Sequence, residues 1–148
     1  MTNLWHLIKR FVGSITAPPL SSSENVEIVA TLLPAEYALF LRLATSDQRH
    51  ALHVLRRFDR LVPSAPVAAR RAALLHDIGK LESGLGTAKR VVASVAGSRS
   101  RRFRAYHDHE RIGAELLSGV GSDPQTVMLV RGEGDSSHAA ALRRADAL

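Results

Sequence analysis

The segment Leu74-Leu75-His76-Asp77-Ile78-Gly79-Lys80 constrains this chain more than any other. An apolar, helix-like run ends on a His followed directly by an Asp, and a Gly two residues later interrupts it. Adjacent side chains on a regular helix diverge by roughly 100°. Both groups reach one point only if the helix ends there, and Gly79, tolerant of positive φ, is the residue expected to end it. A neutral imidazole nitrogen and an ionised carboxylate oxygen are donors that borderline metals such as Zn, Fe, Mn or Ni accept together. A His-Asp dipeptide also arises by chance, so the weight rests on the apolar lead-in, the Gly-Lys exit and the donors found elsewhere in the chain.

Cysteine is absent, which excludes disulfides, thiolate ligands and cysteine nucleophiles, so any metal must be held by His and carboxylate. The 148 residues suffice for one domain with a single hydrophobic core. The net charge of +6, carried mostly by Arg, attracts phosphates, nucleic acid or anionic membrane. Its densest run is Arg99-Ser100-Arg101-Arg102-Phe103-Arg104, read as a loop. That run is a solvated surface, a phosphate-facing clamp or, less favoured because it is short and holds one aromatic where a stacking platform wants several, a nucleic-acid contact. No apolar run approaches the ~18 residues of a membrane span, and the N-terminus lacks the pattern of a signal peptide. A cytoplasmic location is therefore expected.

The periodicity is helical throughout, with no sustained strand alternation, so the expected fold class is all-α. Residues 4–12 form a short amphipathic segment with Leu4, Ile8, Phe11 and Val12 on one face, suited to docking on the domain or touching a membrane surface. Residues 13–25, with Pro18-Pro19 and a Ser run, read as a linker, so the domain proper is expected over 26–148. Helices are expected from Pro34 to about Ala44 and from a Ser46 or Asp47 cap to Leu61, with Leu55, Phe58 and Val62 inward. Further helices are expected over 67–76, 87–96 and 106–118, the last with Ile112, Leu116 and Leu117 inward. Asp123-Pro124 opens another to about Val130, 131–135 is a turn, and Ser136 or Ser137 caps a terminal helix to Leu148.

His50, His76, Asp77 and Asp146 follow one another in the order of an early His, a His-Asp pair and a late Asp on a helix. In these residues, and in the closing segment Leu142-Arg143-Arg144-Ala145-Asp146, the chain resembles the HD superfamily of metal-dependent phosphohydrolases over roughly residues 46–148. The resemblance implies a helical bundle and a divalent metal bound by His50, His76, Asp77 and Asp146, with Mn, Fe, Zn, Ni and Mg not distinguished. His53, one turn beyond His50, is the competing first ligand. Asp77, Lys80 and His109 are the implied catalytic residues. Asp77 is also able to bridge to a second ion. Lys80 is suited either to a substrate phosphate or to Asp77 itself, or is a solvated cation at a helix end. In the two-metal branch of the family a His at the position of His109 binds the second ion. The further His of that branch is missing, because the corresponding stretch reads Arg131-Gly132-Glu133-Gly134, with His138 the next His. One metal per chain follows, and His109 is left to contact substrate.

The implied activity is hydrolysis of a phosphoester or nucleotide by metal-activated water, with a phosphorylated small molecule or nucleotide as partner. A regulatory module that binds metal and nucleotide without turnover is the alternative. A third possibility is a basic nucleic-acid-associated protein with a vestigial pocket.

Overall fold

The computed structural model describes residues 17–82, 99–134 and 136–148. These form seven α-helices and one 3-10 turn, and no strand occurs among the described residues. In chain order they are α1 (Ser22–Thr31), α2 (Pro34–Phe40), α3 (Thr45–Leu61), α4 (Val67–Leu75), the 3-10 turn Ile78–Leu81, α5 (Arg99–Gly119), α6 (Pro124–Val130) and α7 (Ser136–Ala147). The all-α expectation holds. No helix among the described residues is long and apolar enough to cross a membrane. The expected N-terminal amphipathic segment and the helix over 87–96 lie outside the described residues.

Several local expectations differ from the structure. The stretch read as linker to residue 25 ends earlier, because Ser21 caps α1. Its side chain accepts from the Glu24 amide while Glu24 accepts from the Ser21 amide, and this reciprocal cap makes the Ser run a helix start. At α3 the cap position is Ala44, without a side-chain bond, so neither Ser46 nor Asp47 is the N-cap. The arginine run is not a loop: backbone from Arg99 onward is already helical, seven residues before the expected start. By contrast, Asp123 caps α6 as expected, accepting from the Gln125 amide ahead of Pro124.

The core sits between α3, α4, α5 and α6. Leu52, Val54, Leu55 and Phe58 of α3 are fully buried, as are Leu74 and Leu75 of α4 and Leu117 of α5. Burying side chains of this size is worth roughly 1.5–3 kcal/mol each, so α3 is the principal wall of the bundle. Val62 and Leu116 are partly buried against this core. α4 packs on α3 and α6, α7 on α3, and the 3-10 turn and α6 on α5. Polar ties set the angles between these helices. Thr126 Oγ1 donates to the Ala68 carbonyl at 2.8 Å, and buried Glu36 accepts from Ser122 Oγ at 2.8 Å and from the Leu33 amide at 2.9 Å.

Gly79 differs most instructively from expectation. Among the described residues only Gly121, Gly132 and Gly134 have positive φ, so Gly79 does not end α4 through left-handed backbone. Its role is space: a Cβ there would collide with the His109 carbonyl and come within 2.9 Å of the Gly113 amide nitrogen. Gly113 meets it from the other side, where a Cβ would lie 3.1 Å from the Gly79 nitrogen. The turn after the His-Asp pair thus lies backbone to backbone on α5. Overpacking typically costs about 1–3 kcal/mol. Gly79→Ala should cost at least about 2 kcal/mol in denaturant unfolding, because backbone cannot rotate aside, and Gly113→Ala should cost less. A Gly79→Ala protein as stable as the parent would show that the turn is able to move off α5.

Candidate metal centre

α4 ends at Leu75. His76 is its C-cap in helical conformation (φ −57°, ψ −31°), and Asp77 leaves the helix at φ −100°, ψ 9°. The bridge region that Asp77 occupies is sparsely populated and frequent among active-site residues. This break aims both side chains at one point, as the motif requires, although the 3-10 turn accomplishes it rather than a left-handed glycine. His50 comes to the same point from the first half of α3, and Asp146 from the last turn of α7. That last turn is anchored: Arg57 Nε donates to the Ala145 carbonyl at 2.6 Å, and Leu142 and Ala145 are buried.

The donors stand at short range. His50 Nε2 lies 2.9 Å from Asp146 Oδ1, and His76 Nε2 lies 3.3 Å from the same oxygen and 3.6 Å from Asp77 Oδ2. His50, His76 and Asp77 each offer a donor atom within 4.8 Å of the others, a group that could hold a metal ion. The two imidazoles stand edge to face, with centroids 5.5 Å apart. Donors 2.0–2.2 Å from a single ion are about 3.0 Å apart at right angles and about 3.4 Å apart at tetrahedral angles. The observed spacings are those of neighbouring ligands around one ion.

His76 supplies the sharper test. Its Nδ1 lies 2.8 Å from the Ala73 carbonyl, which can only accept, so Nδ1 carries a proton. Its buried Nε2 makes no hydrogen bond and faces two carboxylate oxygens. A neutral imidazole in this setting points a lone pair at negative charge, and only a cation between them relieves that: a proton on Nε2 or a metal ion. Second-bond fixing of the tautomer by a backbone carbonyl is the usual arrangement behind a metal-bound His. The residues therefore fit a divalent metal.

The electrostatics agree. Burial opposes charge on His76, but Asp146 and Asp77 outweigh it and raise its pKa above the ordinary imidazole value. The hydrogen bond with His50, and then the nearby His76 imidazole, hold Asp146 far below the usual carboxylate range. Burial would push Asp77 up, yet His76 and Lys80 hold it below its ordinary value.

Beside the cluster lies a cavity of about 290 Å³. His76, Asp77 and Asp146 form one wall; Leu129, Val130, Ala139 and Leu142 supply apolar surface; His109, Glu110 and Arg143 complete it. Gly132 (φ +84°) also borders it, and a Cβ there would come within 2.9 Å of Glu110 Oε2. His53 is exposed and outside the donor group, so the structure brings His50, not His53, to the site. Lys80, with its role left open by the sequence, is paired with Asp77 at 2.5 Å and with Asp47 at 3.2 Å. Glu133 is exposed, and the His138 ring lies beside Phe58 with centroids 6.4 Å apart. Sequence reasoning missed Glu110, Arg143 and Asp47. Arg143 was findable, since it stands three residues before Asp146 and so shares its helix face; nothing local marks Asp47 as a partner of Lys80.

A family model described as the HD domain matches residues 42–148. Neither the curated proteins nor the solved structures give a match.

These shifts predict a pH signature for the metal-free protein. The raised His76 pKa contributes stability that is complete below its ordinary 6.5 and lost as pH rises through the folded-state value. The lowered Asp146 pKa contributes stability present above 3.8 and lost as pH falls toward its folded-state value. Thermal melts of chelator-treated protein should therefore weaken on both sides. Saturating metal should abolish the loss above 6.5, since the ion replaces the proton on Nε2. An alkaline loss that persists with metal bound would remove His76 from the ligand set.

Proposed function

This chain belongs to the HD-domain family, a family of metal-dependent phosphohydrolases, and on that premise we propose that it hydrolyses a phosphoester or nucleotide phosphate link. One divalent ion is held by His50, His76, Asp77 and Asp146. The observation that carries the reading is His76 Nε2, a buried ring nitrogen without a hydrogen bond that faces two carboxylates. An ion on these donors supplies a water acidified toward neutral pH and polarises a phosphoryl oxygen.

The chain's own residues do the remaining work. The Ala73 carbonyl holds the His76 tautomer and so keeps Nε2 available as a donor. Asp77 and Asp146 balance the charge of the ion. The apolar wall of Leu129, Val130, Ala139 and Leu142 thins the water around the reacting group and so strengthens every charge interaction there. Arg143, exposed at the rim of the cavity, presents a guanidinium suited to phosphate oxygens. His109 on the cavity wall is the candidate to pass a proton to the leaving oxygen. The volume of about 290 Å³ lies at the lower end of ligand pockets, which favours a compact phosphate ester over an extended chain.

Elemental analysis should find about one divalent metal per chain, and a panel of phosphomonoesters, phosphodiesters and nucleotides should reveal turnover. His76→Ala should lose both metal and activity; full occupancy in that variant would refute the ligand set. Asp77→Asn, nearly isosteric but uncharged, should fold and lose activity. His109→Ala should lower turnover about 10²-fold, a typical contribution of general acid–base catalysis, while metal content stays near that of the parent. Loss of metal with His109 would instead make it a ligand.

A further inference from the structure

Lys80 and Asp47 stand behind the donor cluster. Lys80 Nζ lies 2.5 Å from Asp77 Oδ2 and 3.2 Å from Asp47 Oδ1, with the Lys80 side chain 21 % and the Asp47 side chain 15 % exposed. Asp47 sits in the first turn of α3 and makes no cap bond there. Its carboxylate accepts from an ammonium 33 positions away in sequence. A positive charge is therefore built into the protein against the same carboxylate that the ion would use.

Two effects of that charge oppose each other. By tethering Asp77, Lys80 holds the carboxylate in place as a donor, and outer partners of this kind are typically worth 10–100-fold in metal affinity. By drawing on the Asp77 charge and repelling a divalent ion, it weakens binding. A unit charge one carboxylate away from a doubly charged ion, in a partly buried site, outweighs a tether of that size. We infer that Lys80, anchored by Asp47, is a resident counter-cation that shares Asp77 with the metal and holds the site to weak, exchangeable binding. The inference rests on the ligand set proposed above and deepens it, assigning Lys80 to control of the metal in place of contact with substrate.

The test is titration of the full chain with Mn²⁺, followed by calorimetry and by the loss of free-ion electron paramagnetic resonance signal. Lys80→Met should bind Mn²⁺ at least tenfold more tightly than the parent and release it more slowly to a chelator. Asp47→Asn, which removes a nearby anion and loosens the anchor, should bind it several-fold more weakly. Opposite directions are the signature, because a merely tethering Lys80 would make both variants weaker. Lys80→Gln, polar and neutral, should move with Lys80→Met and serves if the latter fails to fold, as thermal melts will show. Unchanged or weaker binding in the neutral Lys80 variants overturns the counter-cation while leaving the ligand set intact. A parent chain that takes up no Mn²⁺, Co²⁺ or Zn²⁺ overturns both.

Discussion

The candidate site depends on one close approach. The turn carrying Gly79 lies directly on the backbone of α5, against the His109 carbonyl and the Gly113 amide, with no side chain between. That contact holds the end of α4, and with it His76 and Asp77, at a set height above α5. It also brings His109, on the same turn of α5, to the wall of the cavity those residues open onto. Backbone packed on backbone deforms little, so the spacing between the donor cluster and His109 is rigid.

Around that contact charges of opposite sign alternate. Asp77 and Asp146 face His76 and His50, Lys80 sits against Asp77, and Asp47 sits against Lys80. Partly buried charges of this density are costly unless each has an opposite partner. The arrangement supplies opposite partners here, while the buried His76 Nε2 makes no hydrogen bond. A group so placed is relieved by a cation, either a proton on Nε2 or a metal ion. The distant ties serve the same end: Arg57 fixes the last turn of α7 that carries Asp146, and the Ala73 carbonyl fixes the His76 ring.

Much of this was legible in the sequence because it was local. The caps at Asp123 and the helical periods of α3, α4 and α7 depend on residues within a few positions of one another. So does the break after His76. Where local chemistry was ambiguous, the reading slipped. Ser21 and Glu24 form a reciprocal cap, yet the surrounding Ser and Pro residues have linker composition. Gly79 allows positive φ, and the same missing Cβ also allows close packing; nothing in the sequence says which of the two a glycine is there for. Arg143 and Glu110 carry ordinary surface chemistry until α5 and α7 place them on one cavity.

The sequence by itself determined the all-α class and the exclusion of thiolate chemistry, and it marked His76, Asp77 and Asp146 as candidate donors, because these follow from residue type and short-range order. Tertiary structure alone decided that His50 and not His53 reaches the cluster, since one turn of α3 faces the core differently from the next. It alone placed Lys80 between Asp47 and Asp77, because a contact across 33 residues is set by how α3 packs on α4 and leaves no periodic trace in the chain.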